Sequence, residues 1–85
     1  MGRYRLLFKR SVAKDLRAIP KKDVQRILKR IKALADAPRS NGCEKLTDQE
    51  RYRIRQGSYR VISEIKDAVL VIIVVKIAHR SEAYR

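Results

Sequence analysis

The sequence predicts an α+β domain, and three observations carry the prediction: an alternating segment near the N-terminus, one long amphipathic stripe, and a second half rich in alternating and β-branched residues. Residues 3–9, RYRLLFK, read as a first strand, with Tyr4, Leu6 and Phe8 on one face and Arg3, Arg5 and Leu7 on the other. Ser11 suits the N-cap of a short helix that carries Val12, Leu16 and Ile19 before Pro20 interrupts it. Pro20 itself fits the start of a second helix, where its missing N–H costs nothing. From there Val24, Ile27, Leu28, Ile31, Leu34 and Ala35 form the apolar stripe, with Lys22, Arg26, Lys29, Arg30 and Lys32 off it, until Pro38. Residues 39–42, RSNG, are turn chemistry, and strands follow near 43–46 and over 51–56, 58–66 and 68–78. Two helices are therefore expected to pack on a mostly antiparallel twisted sheet.

Length and charge narrow the function. Eighty-five residues make one domain, 1–85, and no linker, repeat or low-complexity tract divides it. Twenty-two Lys and Arg against nine Asp and Glu leave a formal charge of +13, which favours a polyanionic partner, nucleic acid before an acidic protein or an anionic membrane. Cys43 is the only cysteine, so no internal disulfide can form, and a reducing cytoplasm fits. No signal-peptide pattern opens the chain, and the apolar run AVLVIIVV at 68–75 is too short to span a membrane. A buried strand is expected there instead. With one histidine and three glycines, neither a protein-built metal site nor a glycine-rich phosphate loop is expected, and no cofactor is implied.

The segment RYRIRQGSYRV, 51–61, concentrates the chemistry. Strand residues two apart share a face about 6.5–7 Å apart. Arg51, Arg53 and Arg55 therefore line one side, and Tyr52 and Ile54 the other. A two-residue Gly57-Ser58 loop of the Gly-first type pairs Gln56 with Tyr59, Arg55 with Arg60 and Arg51 with Glu64. Opposed guanidinium groups destabilise a ladder unless an anion lies between them. The uncompensated charge is thus expected at Arg53, Arg55 and Arg60, where the planar arginine fork suits phosphate oxygens. The chain ends VVKIAHRSEAYR, so the exit of the last strand is expected to gather His79, Arg80, Glu82 and Tyr84, groups that titrate, donate protons or stabilise charge.

YRIRQGSYRVISEI at 52–65 and VVKIAHRSEAYR at 74–85, behind a strand and a helix pair ending ALADAPRSNGCEKL, resemble the RelE family of toxins, within the RelE/ParE superfamily. The resemblance spans essentially the whole chain. It implies a βααβββ(β) fold and a ribosome-dependent endoribonuclease that cuts mRNA in the ribosomal A site. It also implies a cognate antitoxin protein as partner; whether operator DNA is bound, which is expected only as the toxin–antitoxin complex, is left open by the sequence. Carried over by motif, the site residues are Arg53, Arg55, Arg60, Arg80 and Tyr84, with His79 as a proton carrier. The implied reaction is metal-free attack of the ribose 2′-OH on the adjacent phosphorus. Some relatives carry lysine where this chain has Arg53 and Arg55, and arginine is a poor base. The base therefore stays open among His79, Tyr84 and Glu82. Ser63 and Ala78 stand where relatives often have tyrosine and glycine. Two other functions compete: a ParE-like poison of DNA gyrase, and a basic nucleic-acid or ribosome-binding module without chemistry.

Overall fold

The computed structural model describes residues 3–39, 43–46 and 51–79. Strand β1, Arg5–Phe8, is followed by helices α1, Arg10–Arg17, and α2, Lys21–Leu34. Strands β2, Cys43–Lys45, β3, Arg51–Gln56, β4, Tyr59–Lys66, and β5, Val71–His79, complete it, with a 3₁₀ turn at Asp67–Val69. The five strands form one sheet in the order β1-β5-β4-β3-β2, antiparallel throughout except that β1 runs parallel to β5. The expected α+β architecture is the observed one. No helix among the described residues is long and apolar enough to cross a membrane.

Local chemistry explains where the boundaries move. The helix expected to be capped by Ser11 begins one residue earlier, at Arg10, with Lys9 as N-cap and no side-chain cap bond. The Lys9 N–H continues the parallel ladder by donating to the Val74 carbonyl at 3.0 Å, and its own carbonyl accepts from Val12 at 2.9 Å. Strand thus runs straight into helix. Pro20 is the N-cap of α2 rather than its first residue, its carbonyl accepting from Asp23 and Val24 at 2.9 and 3.0 Å. The helix stops at Leu34, short of Pro38, and the Ala35 carbonyl accepts from both Arg3 and Tyr4 at 2.9 Å. The end of α2 is therefore tied to the entry of β1.

Both helices cover one face of the sheet. Val12, Ile27 and Ile31 pack with Val61, Val74 and Ile77, while Leu34 closes over Tyr52, Ile54, Ile65 and Ile72. At about 25 cal/mol per Å², burying such side chains contributes roughly 1.5–3 kcal/mol each. A clamp holds the far end: Arg39 donates to both Asp67 carboxylate oxygens at 3.1 and 2.8 Å and to the Tyr52 hydroxyl at 3.1 Å, and the Tyr4 hydroxyl donates to Asp67 at 2.7 Å. These hydrogen bonds hold the Asp67 carboxyl below its ordinary range, Arg39 contributing most and Tyr4 next.

One irregularity decides the faces of β5. Ser63 pairs with Val74 but Ile62 pairs with Lys76, so Val75 is an extra residue, a β-bulge. Ile72 and Val74 face the helices before the bulge, and Ile77 and His79 face them after it. Simple alternation would have put Lys76 into the core. Beyond Val74 the strand has left β1 behind, and Asp15 of α1 takes over by accepting from the Ile77 N–H at 3.2 Å.

Candidate functional site

The β3–β4 hairpin has the register its sequence predicts: Gln56 opposite Tyr59, Arg55 opposite Arg60, and Arg51 opposite Glu64. Gly57 takes φ +61°, while Ser58 is not among the residues with positive φ, as a Gly-first two-residue turn requires. Arg51, Arg53, Arg55 and Arg60 consequently share the face of the sheet opposite the helices. Arg51 is neutralised as expected, its Nε donating to Glu64 at 2.9 Å. Arg55 is exposed, whereas Arg60 is buried at 5% exposure with Ala78 across from it.

Arg53 departs from expectation. The sequence places it among the uncompensated charges, but β2 pairs with β3 so that Glu44 lies directly opposite Arg53, and the Glu44 carboxylate accepts from Arg53 Nη2. The Glu44 carboxyl is held below its ordinary range first by that hydrogen bond and by the Arg53 charge, then by Arg55 and Arg60. One carboxylate therefore sits within the field of all three arginines. Arg53 Nε is buried with no hydrogen-bond partner among the described residues, and a buried donor left unpaired costs about 1–3 kcal/mol. The arrangement is a cradle of guanidinium groups with one carboxylate at its rim.

Sequence reasoning missed Glu44. The signal was available: a hairpin joining 43–46 to 51–56 with Leu46 donating to the Arg51 carbonyl, 2.8 Å here, sets residue 44 opposite residue 53.

His79 does not share the sheet face of the β3 and β4 arginines. The bulge at Val75 turns it to the helix side, where its ring meets Tyr59 edge-on at 5.5 Å. There it lines a cleft of about 500 Å³ with Lys14, Asp15 and Ile19 of the α1 side. His79, implied by the resemblance as a proton carrier of the same site, thus faces away from Arg53, Arg55 and Arg60. Arg80, Glu82 and Tyr84 lie outside the described residues.

The architecture is shared with RelE toxins. The RelE–RelB complex of Pyrococcus horikoshii OT3 matches with TM-score 0.80 at 28% identity, covering 94% of this chain and 98% of that one. The RelB–RelE complex of Methanococcus jannaschii gives 0.75 at 28%, covering 92% and 94%. The RelBE toxin–antitoxin complex of E. coli shares the fold, with 0.78 at 23% and 89% and 95% covered. Comparison with curated protein sequences gives no match. Fold and relatives define the class as a toxin of the RelE/ParE superfamily. The chain belongs to the ParE toxin family, described as the ParE toxin of type II toxin–antitoxin system, parDE, whose model matches residues 6–84.

Proposed function

We propose that this toxin is a ribosome-dependent mRNA endoribonuclease that cuts mRNA in the ribosomal A site and so stops translation. One observation carries the reading: Arg53, Arg55 and Arg60 share the sheet face opposite the helices, where Arg53 donates to the Glu44 carboxylate and the charges of Arg55 and Arg60 help hold it below its ordinary range. Guanidinium groups that hold a carboxylate hold a phosphate by the same kind of charge-assisted contact. In the proposed reaction the ribose 2′-oxygen forms a bond to phosphorus as the bond from phosphorus to the 5′-oxygen breaks. The products are a 2′,3′-cyclic phosphate and a 5′-OH, and no metal takes part. Arg60 and Arg80 stabilise the charge that gathers on the non-bridging oxygens. Tyr84 stacks on an unstacked base and orients the nucleotide.

Glu44 enters as a base. Arginine stays protonated, whereas Glu44 is kept ionised by its neighbours and has a carboxylate oxygen to receive the 2′-OH proton. A carboxylate held below its ordinary range is a weaker base, which suits slow chemistry away from the ribosome. Glu82 and Tyr84 are the alternatives on the C-terminal segment. Water protonates the departing 5′-oxygen. His79, on the helix side against Tyr59, is given no proton transfer. The basic surface docks on ribosomal RNA, and a cognate antitoxin silences the toxin, as the RelE–RelB pairing of its relatives supports.

The test is a translating extract in which mRNA ends are mapped by primer extension. Codon-positioned cuts should appear with the wild type and vanish with Arg60→Lys or Arg80→Ala while folding is intact. The family model favours a second reading, a ParE-like poison of DNA gyrase. Loss of gyrase supercoiling with no mRNA cuts would establish that one and remove the first.

A further inference from the structure

A second basic site lies behind the first. Arg26, Lys29, Arg30 and Ala33 recur at i, i+3, i+4 and i+7 on α2, one stripe of its surface, and with Gln56 of β3 they line a groove of about 290 Å³. Arg26 and Lys29 are exposed, so this stripe presents cationic side chains to solvent beside the groove. Ala33, the small member of the stripe, leaves room beside the Gln56 amide, a neutral donor for an oxyanion. Arg55 and Gln56 are consecutive in β3, so their side chains leave opposite faces of the sheet. The groove and the arginine cradle are thus back to back across the end of the hairpin. Between them lies the hairpin tip, where a Cβ placed on Gly57 would meet no atom within 4 Å.

The geometry points to a second phosphate site in this groove, occupied by the backbone of the same RNA strand after it has crossed the Gly57–Ser58 tip from the arginine face. A continuous polyanion is the ligand that fits two cationic sites on either side of one hairpin tip. The inference rests on the reading of the arginine face as an RNA site, and it adds a binding position remote from the reacting phosphate.

The probe is fluorescein-labelled 2′-O-methyl single-stranded RNA, which cannot be cut, in a long form of about twelve nucleotides and a short form of about three. Its affinity for the full chain is measured against salt. Arg26→Ala with Lys29→Ala, both at exposed positions, should lower the slope of log K against log salt by about 1.4 for the long RNA, two contacts at about 0.7 each. The short RNA, held by the cradle alone, should not respond. Arg55→Ala should lower the slope for both lengths. An unchanged slope for the long RNA in the Arg26/Lys29 variant, with Arg55→Ala still effective, overturns the second site and leaves the arginine face intact. If Arg55→Ala is also without effect, the RNA reading itself fails. Equal losses for short and long RNA overturn the crossing strand. A loss confined to an acidic protein ligand, with RNA binding unaffected, assigns the groove to that partner and overturns the proposal. Thermal unfolding of each variant checks that the fold is retained.

Discussion

Replacing Glu44 by glutamine should make this protein bind RNA more tightly and cut it more slowly, two effects of opposite sign from one substitution. The side chain keeps its size and can still accept from Arg53, but the charge is gone, raising the formal net charge from +13 to +14. Arg53, now without its counter-ion, becomes available to a phosphate. One added contact steepens the salt dependence of single-strand binding by about 0.7, so the advantage over wild type grows about 2.6-fold on lowering salt from about 200 to 50 mM. If Glu44 takes the 2′-OH proton, the rate falls by about 10² to 10⁴, or roughly 3–5 kcal/mol in the barrier. Anisotropy with uncut 2′-O-methyl RNA reads the first effect, and single-turnover cleavage on programmed ribosomes the second. Unchanged affinity and slope would refute the claim that Glu44 neutralises the cradle. An unchanged rate would refute its role as base.

Two further outcomes follow from the ion pairs and the hairpin turn. Glu44, Glu64 and Asp67 are all held below their ordinary values of 4.5, 4.5 and 3.8, each chiefly by an arginine hydrogen bond. Their pairs therefore stabilise the fold above those values and lose that contribution as pH falls through the lowered ones. The urea midpoint should be level near neutrality and decline in acid, and Glu64→Gln should soften the decline at a cost near neutral pH of about 0.2–1 kcal/mol for a partly exposed pair. A midpoint that rises on acidification would contradict this. Gly57→Ala should cost about 1–2 kcal/mol by urea denaturation. The φ of +61° is the whole cause, since no atom lies within 4 Å of the added carbon. A neutral substitution would mean the turn has relaxed into another type and the Arg55–Arg60 register with it.

What the sequence made legible was local. The hairpin over 51–66 could be registered because two residues of turn chemistry fix every pair that follows, down to Arg51 with Glu64. The stripe on α2 was readable for the same reason, since its period involves only neighbours along the chain. Non-local facts were hidden. Nothing in RLLF announces that β1 will run parallel to β5, a partner 66 residues away in the pairing of Arg5 with Val71. The bulge at Val75 left a trace in the broken alternation of Val74, Val75, Lys76 and Ile77, yet one residue of register decided that His79 faces the helices and not the arginines. The partner of Arg53 was likewise within reach only by assuming that β2 and β3 form a hairpin.

In the proposed reaction, guanidinium groups of the β3–β4 hairpin hold the phosphate while its bond to the 5′-oxygen breaks. Replacing one non-bridging oxygen of the scissile phosphate by sulfur tests it most directly, with single-turnover cleavage compared between wild type and Arg60→Lys. Sulfur should slow the wild type substantially and the variant less, because substitution and arginine act on the same contact. An equal sulfur effect in both proteins would mean that Arg60 does not touch that oxygen, and the cradle would then have no part in the reaction.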